Sequence, residues 1–132
     1  FKDGFFVPEN MYIIGTMNDI DRSVESLDFA MRRRFVFKEI TAAESAVSMN
    51  LPENVKSRMT ALNAAISRID GLNSSYHIGA AYFLKDGEPV DDCNELWNLR
   101  LEPLLKEYLR GTPNVEDNIG KLKAAFESIP ST

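Results

Sequence analysis

The chain has 132 residues but only one cysteine, Cys93, and only one histidine, His77. A single cysteine excludes an internal disulfide framework and a cysteine-cluster zinc site. A single histidine excludes a two-histidine metal centre. Uninterrupted apolar runs are only a few residues long, too short for a membrane-spanning helix. No secretory n-region or h-region is found at the start, which is Phe1 and not Met. That start predicts a processed chain or a piece of a longer one. Basic charge is also in short supply. Lys and Arg total 15 against 20 Asp and Glu, a formal net charge of −5. This balance excludes a general nucleic-acid glove and leaves room for a local basic site. What the chain has is core material, 44% hydrophobic and 10% aromatic residues. A chain of this size buries roughly two-thirds of its unfolded surface. With no internal repeat and no low-complexity segment, disorder, collagen and coiled coil are excluded as whole-chain readings.

Two textures divide the chain. Residues 11–16, Met-Tyr-Ile-Ile-Gly-Thr, are a short apolar run of β-formers entered from Pro8 and Asn10. They predict a strand buried on both faces, as in a parallel sheet covered by helices. Ser26 is a candidate N-cap for a short helix over 27–33, with Asp28 in its first turn and arginines in its last. Residues 35–40, Phe-Val-Phe-Lys-Glu-Ile, have strand composition. Residues 1–40 thus read strand, loop, helix, strand, as the last strands of a sheet whose other members lie elsewhere.

From Thr41 the pattern turns helical. Thr41 and Glu44 form a capping-box pair opening a helix to about Met49. Pro52 suits the first turn of the next helix. That helix carries Val55, Met59, Leu62, Ile66 and Ile69 at three- and four-residue spacing, with Gly71 as its stop. Residues 78–84 are apolar without a clear period, and 85–89 are a turn. Asp91 or Asp92 caps a helix bearing Leu96, Trp97, Leu99, Leu101, Leu104, Leu105, Tyr108 and Leu109, which read as core. Pro103 predicts a kink or break near Glu102. A last helix runs over about 115–128, stopped by Pro130. Residues 41–132 therefore predict a bundle of about four or five helices. Cys93 reads as inert, and the acidic stretch 86–95 as a solvated loop and cap.

The chemistry concentrates in residues 12–35. Polar groups after a buried strand sit at the carboxyl edge of a sheet, where α/β proteins bind ligands. Asn18 can both donate and accept a hydrogen bond there, which suits holding a water beside a phosphate. Taken alone, it also suits a turn. Asp21 and Arg22 can pair, or Arg22 can face a phosphate. Arg32, Arg33 and Arg34 place three like charges in a row. They can answer a helix dipole, yet their mutual repulsion makes an anionic partner the more informative reading. His77, a lone histidine in a loop, reads by itself as structural or exposed.

The run Gly15-Thr16-Met17-Asn18, Asp21-Arg22-Ser23, Leu27-Asp28 and Met31-Arg32-Arg33-Arg34-Phe35 resembles the second half of the AAA+ module of the McrB family. These are the nucleotide-hydrolysing motors of modification-dependent restriction systems. Met31 in place of Leu is the one noticeable change. The lead-in Val7-Pro8-Glu9-Asn10 fits as well. The likeness fades through 41–70 and returns at Ile78-Gly79, Tyr82-Phe83 and Pro103-Leu104-Leu105-Lys106-Glu107-Tyr108.

The resemblance implies a fragment of an α/β P-loop module, α+β in class. Residues 1–40 would be the end of the core and 41–132 a mostly helical lid. It implies that Asn18 is the sensor 1 residue, orienting the attacking water near the γ-phosphate. Asp21 and Arg22 would couple hydrolysis to an activating nuclease partner of the McrC type. Arg32 and Arg33 match arginines that reach a neighbouring subunit's nucleotide in trans. Arg33 is favoured as the finger, with Arg34 adjacent in the same anion-binding run. His77 stands where relatives carry a sensor 2 arginine, and a neutral histidine would hold a phosphate less well. The implied parent is a cytoplasmic, oligomeric GTPase or ATPase using magnesium, with DNA read by other domains. No Gly-x-x-x-x-Gly-Lys-Ser/Thr and no paired-acid Walker B occur. The chain alone is therefore expected neither to hold nucleotide tightly nor to hydrolyse it. Other classes to weigh are a remodelling ATPase of the MoxR or dynein-like branch, which the Met17–Ser23 signature argues against, and a non-catalytic helical adaptor.

Overall fold

The computed structural model describes residues 6–18, 20 and 29–129. The elements in chain order are α1 (Phe29–Arg32), α2 (Ala42–Ser48), α3 (Glu53–Ile66), β1 (Leu84–Lys85), β2 (Glu88–Pro89), α4 (Cys93–Leu96), α5 (Glu102–Tyr108) and α6 (Val115–Glu127). Two 3₁₀ turns, Ser74–Tyr76 and Ala80–Phe83, and a π-helical turn, Trp97–Leu101, link them.

The capping box at Thr41 forms as the sequence predicts. The Glu44 backbone N–H donates to Thr41 Oγ1 at 3.2 Å, and the Thr41 N–H donates to a Glu44 carboxylate oxygen at 2.9 Å. Those bonds to the ionised carboxylate hold Glu44 below the usual carboxylate range. Pro52 takes the position just before α3, where its missing N–H costs nothing. α3 is shorter than its apolar register suggests. It ends at Ile66, and tighter i→i−3 bonds, such as Ile69 N–H to the Ile66 carbonyl, carry the chain round to Gly71 at φ +84. Asp92, not Asp91, caps α4, accepting from the N–H groups of Asn94 and Glu95.

Pro103 alters the helix that carries the leucines without breaking it, since helical residues run on without a gap from Cys93 to Tyr108. It sits in the first turn of α5, where it can donate no bond to the turn before it. That turn widens to π geometry, and the Glu102 N–H reaches back to the Trp97 carbonyl. The Trp97 indole N–H, itself buried, donates to Glu102 Oε2 at 2.9 Å. Lys106 pairs with the same carboxylate at 2.8 Å and holds Glu102 below its ordinary value.

The core lies among α3, the π turn, α5 and α6. Met59, Leu62 and Ile66 of α3 meet Leu122 and Phe126 of α6, and Trp97, Leu101, Leu105 and Leu109 close the other side. Trp97 and Phe126 lie 5.6 Å apart between ring centroids. Leu99 departs from the expected core stripe: the π turn rotates it outward, and it is 69% exposed. β1 and β2 form a two-residue antiparallel hairpin across Asp86-Gly87, both at positive φ.

The two strands expected over 11–16 and 35–40 are not formed, which corrects that part of the sequence reading. Among the described residues the only sheet is the β1–β2 hairpin. A strand needs a ladder partner for its backbone groups, and neither segment has one. Their apolar side chains stay in solvent, with Ile14 at 92% and Val36 at 101% exposure. The short helix expected over 27–33 is represented by α1. Its expected cap Ser26 and first-turn Asp28 lie outside the described residues, as does the stop at Pro130. No helix among the described residues is long and apolar enough to cross a membrane.

Candidate functional site

The residues expected to meet a nucleotide fall in three places. Asn18 is exposed, and its Oδ1 accepts the Ile20 N–H at 3.3 Å, an Asx-type turn. This is the local bond that the turn reading of Asn18 anticipates; its Nδ2 group takes no part in it. Asp21 and Arg22 lie outside the described residues.

The arginines at the end of α1 are all exposed but are engaged differently. The Arg32 guanidinium stacks 5.8 Å from the centroid of the Phe37 ring. Arg34 folds back so that Nη1 donates to the Ala30 carbonyl at 3.1 Å, satisfying a helix-end acceptor. Arg33 makes no hydrogen bond or ion pair among the described residues. Its five N–H donors stay open to an external anion, as do those of Arg32, whose printed contact is with a ring face.

His77 sits half-buried after the Ser74–Tyr76 turn, and Ser67 Oγ lies 2.7 Å from its Nε2. No carboxylate among the described residues bonds its Nδ1, so the pair lacks the orienting acid of a hydrolase triad. Among the described residues no hydrogen bond, ion pair or ring contact joins Asn18, the arginines and His77 to one another.

Sequence reasoning missed three polar groups that fix the His77 loop and the bundle. Asn63 is buried in α3 and clamps Ile78, donating to its carbonyl at 3.0 Å and accepting its N–H at 2.7 Å. Ser45 Oγ of α2 accepts the Ala80 N–H at 3.0 Å. Gly79 eases that crossing, since a Cβ there would lie 3.2 Å from Ser45 Oγ. Arg58, also buried, donates from Nη1 to the Phe126 carbonyl at 3.2 Å and lies over the Phe126 ring, tying α3 to the end of α6. A signal was present for two of them. Asn63 follows Met59 by four residues and Arg58 follows Val55 by three, so both fall in the apolar register of α3. Tyr108 packs edge-on to Tyr76 at 5.1 Å, and burial pushes its phenol up to about 12.

The chemistry on offer is anion binding. Exposed guanidinium groups and an imidazole suit phosphate oxygens. No group of three or more His, Cys, Asp or Glu among the described residues could hold a metal ion.

The family described as "McrB, alpha-helical lid domain" matches residues 54–116, which span α3 to the start of α6. The Type IV methyl-directed restriction enzyme EcoKMcrB subunit of Escherichia coli (strain K12) is 35% identical over 129 residues. That match covers 85% of this chain and 28% of the relative, so the chain spans little more than a quarter of that protein. No solved structure matches the chain significantly. With a McrB lid at its centre and this identity along most of its length, the chain belongs to the McrB-type family.

Proposed function

We propose that this chain supplies the sensor, arginine and lid parts of a McrB-like AAA+ nucleotidase that powers modification-dependent DNA restriction. The observation that carries the reading is the 35% identity to a restriction-enzyme subunit over 85% of the chain. A match that long takes in Arg32–Arg34 wherever along the chain it begins, so it extends well beyond the lid.

On this reading residues 1–40 complete a core sheet formed with other parts of the subunit, and 41–132 form the lid. Asn18 turns its amide toward the water that attacks the γ-phosphoryl group. Arg33, with Arg32 or Arg34 beside it, enters the nucleotide site of the next subunit of a ring. Fixed positive charge there stabilises the transferring phosphoryl group. Asp21 and Arg22 couple hydrolysis to a McrC-like nuclease and activator. His77 contacts a phosphate from the lid. The nucleotide, GTP or ATP with magnesium, would supply the phosphoryl group, and its phosphate cradle and metal ligands would come from parts of the subunit outside this chain. The location is the cytoplasm, where the DNA to be cut is found.

The test is nucleotide hydrolysis by a McrB-type subunit carrying this chain, with its McrC-type partner present. Asn18→Ala abolishes turnover and leaves nucleotide binding nearly intact. Turnover that survives this substitution contradicts the sensor assignment. The 132-residue chain by itself binds neither GTP nor ATP at micromolar concentration, and micromolar binding would contradict the division of the site between this chain and other parts.

A further inference from the structure

The loop that carries His77 is held more firmly than a solvent loop requires. Asn63 fixes both backbone groups of Ile78, Ser45 fixes the Ala80 N–H, and Ser67 meets the imidazole itself. The first three bonds set the path of the backbone. The fourth sets the ring, and it is made at Nε2 only. Nδ1 has no hydrogen-bond partner among the described residues.

A neutral imidazole carries one donor and one acceptor, and its partners decide which nitrogen is which. A phosphate oxygen only accepts. If Nε2 held the proton and gave it to Ser67, Nδ1 would offer a lone pair to an anion. If the Ser67 hydroxyl donates to Nε2, Nδ1 carries the proton and becomes a donor. We propose that Ser67 is a positioning residue: its hydroxyl donates to Nε2 and fixes the neutral ring of His77 as the Nδ1–H tautomer, which gives a hydrogen bond to a nucleotide phosphate oxygen. Ser67 thereby makes an uncharged lid residue into an oriented donor. The proposal rests on the placement of His77 at the nucleotide given under Proposed function.

His77 is the chain's one histidine, so its imidazole nitrogens give a single, self-assigned set of ¹⁵N resonances. At a pH where the ring is neutral, the proton sits on Nδ1 in the unaltered chain. Ser67→Ala returns the ring to a mixture dominated by Nε2–H, the form an unassisted imidazole prefers, and Ser67→Thr keeps Nδ1–H. A proton on Nε2 in the unaltered chain, or a tautomer indifferent to Ser67→Ala, overturns the proposal. In a McrB-type subunit carrying the chain, Ser67→Ala raises KM for GTP or ATP roughly fivefold, the scale of one lost hydrogen bond, with kcat little changed, and Ser67→Thr restores it. A tautomer set by Ser67 combined with a KM indifferent to both Ser67→Ala and His77→Ala overturns the phosphate contact. In that case it is the placement of His77 that fails, and the coupling of Ser67 to His77 stands.

Discussion

Residues 6–40 and residues 41–129 both carry long apolar side chains, but only the second group hides them. Of residues 6–18, 20 and 30–40, all but Ile20 are exposed, including Phe6, Tyr12, Ile14, Val36 and Phe37. In the second group Trp97, Phe83, Phe126 and seven leucine and isoleucine side chains have almost no solvent contact. The difference lies in the backbone more than in side-chain chemistry. A helix satisfies its own N–H and C=O groups and needs neighbours only for one face. A strand needs neighbours for its backbone before its side chains can be buried. The helical part therefore forms a core from its own sequence. The strand-like part keeps its composition but waits for a ladder, which on the proposed reading the rest of the nucleotidase core supplies.

This contrast predicts that the two regions fail in different ways. The largest effect belongs to the exposed region. In an assembled McrB-type subunit Arg33→Ala lowers hydrolysis by roughly 10³-fold or more, the worth of an arginine supplied to a phosphoryl transfer. Nucleotide binding and the melting of the isolated chain do not change. Steady-state turnover beside a binding titration checks this.

In the packed region the effects are on stability. Trp97→Ala removes a fully buried ring and costs about 3–5 kcal/mol, which denaturant unfolding of the chain detects. Asn63→Ala strands the buried N–H and carbonyl of Ile78 and costs about 1–3 kcal/mol in the same measurement. Tyr108 gives the pH dependence. Its phenol stays protonated up to about 12 when folded, against an ordinary value of 10.0 when unfolded. Its contribution is therefore whole below pH 10 and is lost as pH rises toward 12. Tyr108→Phe flattens that alkaline decline in a Tm-against-pH series.

The smallest effect sharpens the contrast. Val36→Ser, at a fully exposed apolar position, changes the stability of the chain by no more than about 0.5 kcal/mol. A loss on the scale of the Trp97 variant would mean that residues 35–40 pack against the helices after all.

The sequence was a good guide wherever structure is decided within a few residues. The Thr41–Glu44 box, a disturbance of the helix at Pro103 and a cap at Asp91 or Asp92 all follow from local hydrogen-bond chemistry. It was a poor guide where the partner is remote. Tyr12-Ile13-Ile14 and Phe35-Val36-Phe37 have strand composition, but no composition supplies the neighbouring strand. The same limit applied to the site. Arg32–Arg34 stood out as adjacent like charges, but that Arg32 would stack on Phe37 and Arg34 would fold onto Ala30 depends on rotamers. Ser67 gave no signal at all, because its contact with His77 spans a turn whose path is set by Asn63.

The central claim is that Arg33 works on a neighbour's nucleotide, and mixed assemblies test it most directly. One subunit carries Arg33→Ala with its own phosphate-binding loop intact, and the other has a disabled loop with Arg33 intact. Each is inactive alone. The account predicts that mixing them restores hydrolysis, because intact sites then face intact arginines across the interface. Mixed assemblies that form but remain inactive at every ratio would contradict it.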